Sequence, residues 1–159
     1  VREHGWRVAL PSELEWEKAA RGGLRGAVFP WGDDADAGHG DGRRANHRGS
    51  RIEGTSVVGC FPANDYGLHD LAGNVWEWTR SLWGTDWVEP RFAYPYDVDD
   101  PRREDLRAGD FALRVVRGGS WRDQRNCARS GIRHRYHPGY SLTYLGFRVV
   151  LRSSPVLPL

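Results

Sequence analysis

The side chains best suited to making contacts are crowded near the C-terminal end of this chain. Arg122, Asp123, Gln124, Ile132, His134, Tyr136, His137, Tyr140, Ser141, Leu142, Thr143 and Tyr144 form a chemically mixed set. They alternate with Arg125, Cys127, Arg129, Ser130, Arg133 and Pro138, which look like framework. Tyr supplies rigid amphipathic area at small entropic cost, while Ser, His and Asp supply adaptable hydrogen bonds. That mixture is the chemistry of a recognition surface, and 121–144 is the candidate.

Other chemistries find less support. The histidines at 4, 39, 47, 69, 134 and 137 show neither His-x₃-His nor His-Glu-x-x-His spacing. His134 and His137 flank Tyr136 in what reads as irregular loop. Gly118-Gly119 belongs to no Gly-x-Gly-x-x-Gly or Walker pattern, so nucleotide binding is not indicated. Cys60 and Cys127 cannot make a disulfide framework. Two reduced thiols are favoured over a single bridge, and a lone buried Cys behaves as a small hydrophobe. With 23 basic against 21 acidic residues, the charge carries no nucleic-acid or membrane-surface footprint. No apolar run approaches the length of a membrane span.

The candidate surface must be held by a scaffold rich in turns. The 159 residues suit one domain with a real core. Twenty Gly and nine Pro argue for many turns, and eight Trp supply much of the apolar area. Ser12-Glu13-Leu14-Glu15 reads as a capping box, which predicts a helix over about 12–21 ended by Gly22-Gly23. Residues 29–52 lack periodicity and read as ordered loop. Short strands are expected at 55–61, 75–79, 113–117 and 146–151. Residues 83–110, with Asp97, Asp99 and Asp100, read as an exposed polar insertion. The tail 153–159 has no room for an element. Together these give an α+β domain.

Five strings fix the reading further: Leu-Pro-Ser-Glu-Leu-Glu-Trp-Glu at 10–17, Phe-Pro-Trp-Gly at 29–32, Gly-Asn-Val-Trp-Glu-Trp at 73–78, Arg-Gly-Gly-Ser-Trp at 117–121 and Gly-Phe-Arg-Val-Val at 146–150. In this order they resemble the formylglycine-generating enzyme (sulfatase-modifying factor) family. The resemblance implies a C-type-lectin-like fold spanning 1–159 as a single domain whose N-terminal portion is incomplete. It implies the C-terminal module of a larger bacterial or phage protein with further domains upstream, the cytoplasm being favoured as its location.

Enzymes of this family hold copper on two cysteines shortly after Gly-Gly-Ser, thiolates being soft enough to select Cu(I). Residues 121–126 contain no Cys, so copper is not expected and no catalytic residue is assigned. Other members bind a structural Ca²⁺ through the positions that are Ala72, Gly73, Val75 and Glu77 here, and Glu77 has an arginine as its alternative partner. A second family calcium site, at Asn46 and the His47 carbonyl, lacks its acidic partner near Ser50. Arg117, Arg129, Arg133 and Arg148 are expected to anchor loops beneath the binding set, and Trp76, Trp78 and Trp121 to be largely buried.

The layout ahead of Gly-Phe-Arg also resembles the variable proteins of diversity-generating retroelements. There, adenine substitution turns Asn codons into Tyr, His, Asp, Ser, Thr, Ile or Leu; Arg122 and Gln124 do not follow so directly. An ordinary family member with a Tyr/His-rich loop is the equal alternative. The sequence thus points to a non-catalytic binding domain whose partner is an unidentified protein or other macromolecule. An enzyme of the formylglycine-generating or iron-dependent sulfoxide-synthase type, using residues outside this stretch, is the runner-up.

Overall fold

A computed structural model describes residues 6–33 and 43–153. His4, His39 and the tail beyond Ser153 lie outside these described residues. Helix α1 spans Glu13–Arg21. Its capping box closes reciprocally: the Ser12 hydroxyl accepts the Glu15 N–H at 3.0 Å, and the Glu15 carboxylate accepts the Ser12 N–H at 2.8 Å. Gly22 ends the helix in the left-handed region and donates its N–H to the Ala19 carbonyl. Trp16 and Ala20 fall on one face and pack with Leu71.

Six short strands complete the framework: β1 (Trp6–Ala9), β2 (Trp76–Gly84), β3 (Leu113–Arg117), β4 (Arg133–Tyr136), β5 (Leu145–Phe147) and β6 (Val150–Ser153). A four-stranded sheet runs β4-β3-β2-β5, and β1 pairs with β6 in a separate ribbon. β2 is antiparallel to β3 and parallel to β5. The connecting segments hold short 3₁₀ turns at Arg48–Ser50, Pro101–Glu104 and Arg125–Ala128. Helix, strands and long connections make an α+β fold.

The register separates two kinds of side chain. Glu77, Arg117 and Arg133 stand opposite one another across β2, β3 and β4, as do Trp78, Val116 and His134 one residue away. Directly opposed residues share a face and neighbours along a strand do not. The first face meets α1 through charge: Glu17 accepts from Arg117 at 2.6 Å, Glu13 takes both Nε and Nη2 of Arg133 at 2.7 and 2.8 Å, and Glu77 accepts the Trp16 indole N–H at 2.5 Å. The second face carries Trp76, Trp78, His134 and Tyr136.

Four expectations need correction. Residues 55–61 form no strand: the Ser56 N–H goes to the Asn74 side chain, the Cys60 N–H closes a turn on Val57, and Val57 and Val58 face solvent. The span 146–151 is two strands, because the chain leaves β2 after Phe147 and joins β1 from Val150. Residues 133–136, read as loop, are β4; a strand of Arg-His-Arg-Tyr has no aliphatic residue to betray it, and its alternation is between cation and ring. The insertion 83–110 is anchored, not merely exposed. Phe92 and Arg103 are buried, Arg103 donates to the carbonyls of Phe92 and Ala93, and its guanidinium lies 4.5 Å from the Tyr96 ring centre.

Candidate recognition surface

Three of the sequence motifs meet at the base of the site. Gly73 donates its N–H to Gly118 at 2.7 Å, and the Trp121 N–H reaches the Asn74 carbonyl at 2.9 Å, so Gly-Asn-Val-Trp-Glu-Trp is bonded to Arg-Gly-Gly-Ser-Trp. Gly73 is required there: φ is +75°, and a Cβ would stand 2.1 Å from the Asn46 carbonyl oxygen. Gly-Phe-Arg enters as β5 alongside β2 and through Arg148, which spans Glu77 with Nε at 2.5 Å and Nη2 at 2.6 Å and also donates to the His69 and Asp70 carbonyls.

On the opposite face the rings form one contiguous group. His134 stacks on Tyr136 with centroids 5.0 Å apart and lies 5.2 Å from Trp76. Tyr136 meets Trp78 edge-on at 6.4 Å and approaches Tyr140 and Tyr144 at 6.1 and 6.4 Å. Trp87, from the insertion, stacks on Tyr140 at 6.2 Å, and the Arg122 guanidinium sits 4.6 Å over the Tyr144 ring. Separations of this order are those of favourable aromatic and cation–π contacts. Burial first, and then the Tyr144 hydroxyl, push the Tyr136 phenol up to about 12. Burial likewise holds the His134 imidazole below its ordinary value.

The expected surface is assembled in part. Arg122, Gln124, Tyr140, Ser141 and Thr143 are exposed; His134, Tyr136, His137, Leu142 and Tyr144 are half-buried, so the rings form a wall with exposed edges rather than free side chains. His137 is fixed from behind by the Asp110 carbonyl. Ile132 lines a separate groove with Arg21, Val28 and Arg129. Asp123 is a support: its carboxylate accepts the Trp76 indole N–H at 2.8 Å and the Ser120 hydroxyl at 2.5 Å. Trp76 is buried as expected, but Trp78, which meets Tyr136 edge-on, and Trp121, which sits under the exposed Arg122, are only half-buried. Arg117, Arg133 and Arg148 are anchors beneath the site, whereas Arg129 is exposed and donates to the Asn126 carbonyl in the 3₁₀ turn just before it. Sequence reasoning missed Trp87 and Phe147. Trp87 belongs to the polar insertion, and Phe147, within the expected strand 146–151, is exposed opposite Trp78 in β5.

Neither metal expected of such a fold meets a ready donor set. Both Glu77 oxygens are engaged by Arg148, and one also by Trp16, so a Ca²⁺ with Ala72, Gly73 and Val75 would have to displace a guanidinium. At Asn46, the Ser50 hydroxyl occupies the space between the Asn46 side-chain oxygen (3.0 Å) and the His47 carbonyl (2.7 Å). For copper, Cys60 and Cys127 are both free. Burial and then Asp123 push the Cys127 thiol up, away from the thiolate that a soft metal needs. Among the described residues no group of three or more His, Cys, Asp and Glu converges as a metal site. Nor is any helix among them long and apolar enough to cross a membrane.

Residues 4–153 match the model of the sulfatase-modifying factor enzyme 1-like domain, and the chain belongs to that family. It is 37% identical to the inactive C-alpha-formylglycine-generating enzyme 2 of Bos taurus, over 90% of this chain and 44% of that protein. It is 35% identical to the formylglycine-generating enzyme of Thermomonospora curvata, over 87% of this chain and 48% of that one. Among solved structures, Treponema denticola variable protein 1 superposes with a TM-score of 0.68 at 30% identity, covering 96% of this chain and 49% of that one. The chain thus spans less than half the length of each. These likenesses identify the α+β architecture as the C-type-lectin-like fold of the formylglycine-generating type.

Proposed function

We propose that this protein is a non-catalytic recognition module that binds a protein or other macromolecule through the aromatic face of β2–β4 and the 137–144 segment. The carrying observation is the contiguous group of Trp78, Tyr136, Tyr140, Tyr144 and Trp87 with exposed edges, set on a framework of arginine anchors. Rigid aromatic side chains on a fixed base are the residues that dominate binding energy at interfaces. The likeness to a variable protein and to a relative named as inactive supports this reading. Diversification of the exposed positions Arg122, Gln124, Tyr140, Ser141 and Thr143 is part of the proposal. Its test is the DNA beside the gene: a near-copy of the 3′ coding segment, with adenines at the varied codons and a reverse transcriptase alongside, is expected. A locus without that copy would make the surface a fixed one.

The relative named formylglycine-generating enzyme favours an enzymatic second reading. Its test is incubation with a Cys-x-Pro-x-Arg peptide and copper. We expect no aldehyde above background, because neither cysteine stands where the copper pair would. Formation of aldehyde would establish the second reading.

A further inference from the structure

A cavity of about 410 Å³ lies outside the recognition surface, between the end of β2 and the 105–112 segment. Its walls are Leu82 and Phe92, both buried, with Ala108, Ala112 and the ring of Phe111. The space exists for local reasons. Gly84, at φ +135°, has no side chain, and a Cβ there would strike Arg91 Cβ at 2.9 Å, so the chain can fold back and dock Phe92 on Trp83 through an N–H to carbonyl bond of 3.3 Å. Small residues at 108, 109 and 112 then leave the opposite wall thin. Phe111, 83% exposed, stands at this cavity with its ring in solvent, although an apolar wall lies beside it.

Three charged side chains line the cavity: Arg91, Arg102 and Asp105. Arg102 is committed to Asp100 through two bonds of 2.7 and 2.9 Å, and Asp105 caps the Arg107 N–H at 2.8 Å. Arg91 has no hydrogen bond or ion pair among the described residues; its guanidinium only lies over the Phe92 ring, at 5.6 Å. An apolar cavity of this size takes a ligand of drug-like dimensions, with a few polar groups setting its orientation. From this geometry we infer that the cavity is a binding site for a small amphipathic carboxylate, whose apolar body fills the space between Phe92 and Phe111 and whose anionic head pairs with Arg91. Charge-assisted pairing of a carboxylate with a guanidinium gives that head its preference over a neutral or cationic one.

Calorimetric titration with decanoate, decanol and decyltrimethylammonium, each below its micelle concentration, tests the assignment. We expect saturable one-to-one binding of decanoate, weaker binding of decanol, and none of the cation. Arg91→Gln should weaken decanoate at least about tenfold while leaving decanol within about twofold. Ala108→Phe, which fills the cavity, should weaken both, with an unchanged circular dichroism spectrum. The inference is overturned if the unaltered protein shows no saturable uptake of decanoate, if the cation binds as well as the acid, or if Arg91→Gln binds decanoate as before. None of these results bears on the aromatic face, which uses other residues.

Discussion

Arg148 grips Glu77 with two edges of its guanidinium, at 2.5 and 2.6 Å, while Trp16 donates to the same carboxylate from helix α1. One ion pair therefore ties the Gly-Phe-Arg segment, strand β2 and the helix together. Removing one partner of a buried pair strands the other charge, at a cost of about 3–5 kcal/mol. Arg148→Ala should lower stability by that amount in denaturant titration. With the guanidinium neutralising Glu77, a chelator should leave the melting curve unmoved. A melting temperature that rises with added Ca²⁺ would instead show a cation bound by the native state.

The bond from Trp76 to Asp123 makes a second prediction. Trp76 is buried, and its indole N–H has the Asp123 carboxylate as acceptor. Leaving a buried donor unsatisfied costs about 1–3 kcal/mol. Asp123→Ala should show this loss in thermal or chemical unfolding, and Asp123→Asn, which keeps an acceptor oxygen, should lose less. A neutral Asp123→Ala would return the residue to the surface set in which its composition first placed it.

The third concerns pH. Burial holds the folded His134 below its ordinary value, so between the two values the unfolded chain binds the extra proton and stability rises with pH. The contribution of the neutral imidazole is thus present above pH 6.5 and lost as pH falls toward the folded value. The melting temperature should drop on going from pH 7 to pH 5, and His134→Gln should flatten that drop. Carboxylates act lower: burial pushes Glu15 up, but hydrogen bonds from Arg80, the Ser12 N–H and Arg152 outweigh it and hold it at about 2. Its share is present above about 4.5 and is lost as pH falls through 2.

Local chemistry made part of this fold legible. The Ser12 box, the Gly22 stop and the Leu113–Arg117 strand are each decided by residues within a few positions. β1 was hidden because its partner, β6, lies at the far end of the chain, and β4 because its composition is arginine with aromatic rings. The split between β5 and β6 was hidden for a related reason: alternation over 146–151 is continuous in sequence, while the strand changes partner. In the site, residue type singled out Tyr136, Tyr140, Tyr144 and Arg122, which the fold brings into one contiguous group. It could not separate Asp123, which looks like a contact residue but faces inward, nor recruit Trp87, brought in by an insertion whose docking depends on Gly84.

A diversified recognition surface requires the exposed positions of the aromatic face to be free to vary without cost to the fold. A display library varied together at Arg122, Gln124, Tyr140, Ser141 and Thr143, and selected against hen lysozyme as an arbitrary protein target, measures this directly. Exposed substitutions usually change stability by within about 0.5 kcal/mol, so most unselected members should melt near the parent, and selected members should bind lysozyme and lose binding on reversion of the varied positions. A library in which most members are unfolded, or which yields no binder that depends on these positions, would contradict a recognition surface here.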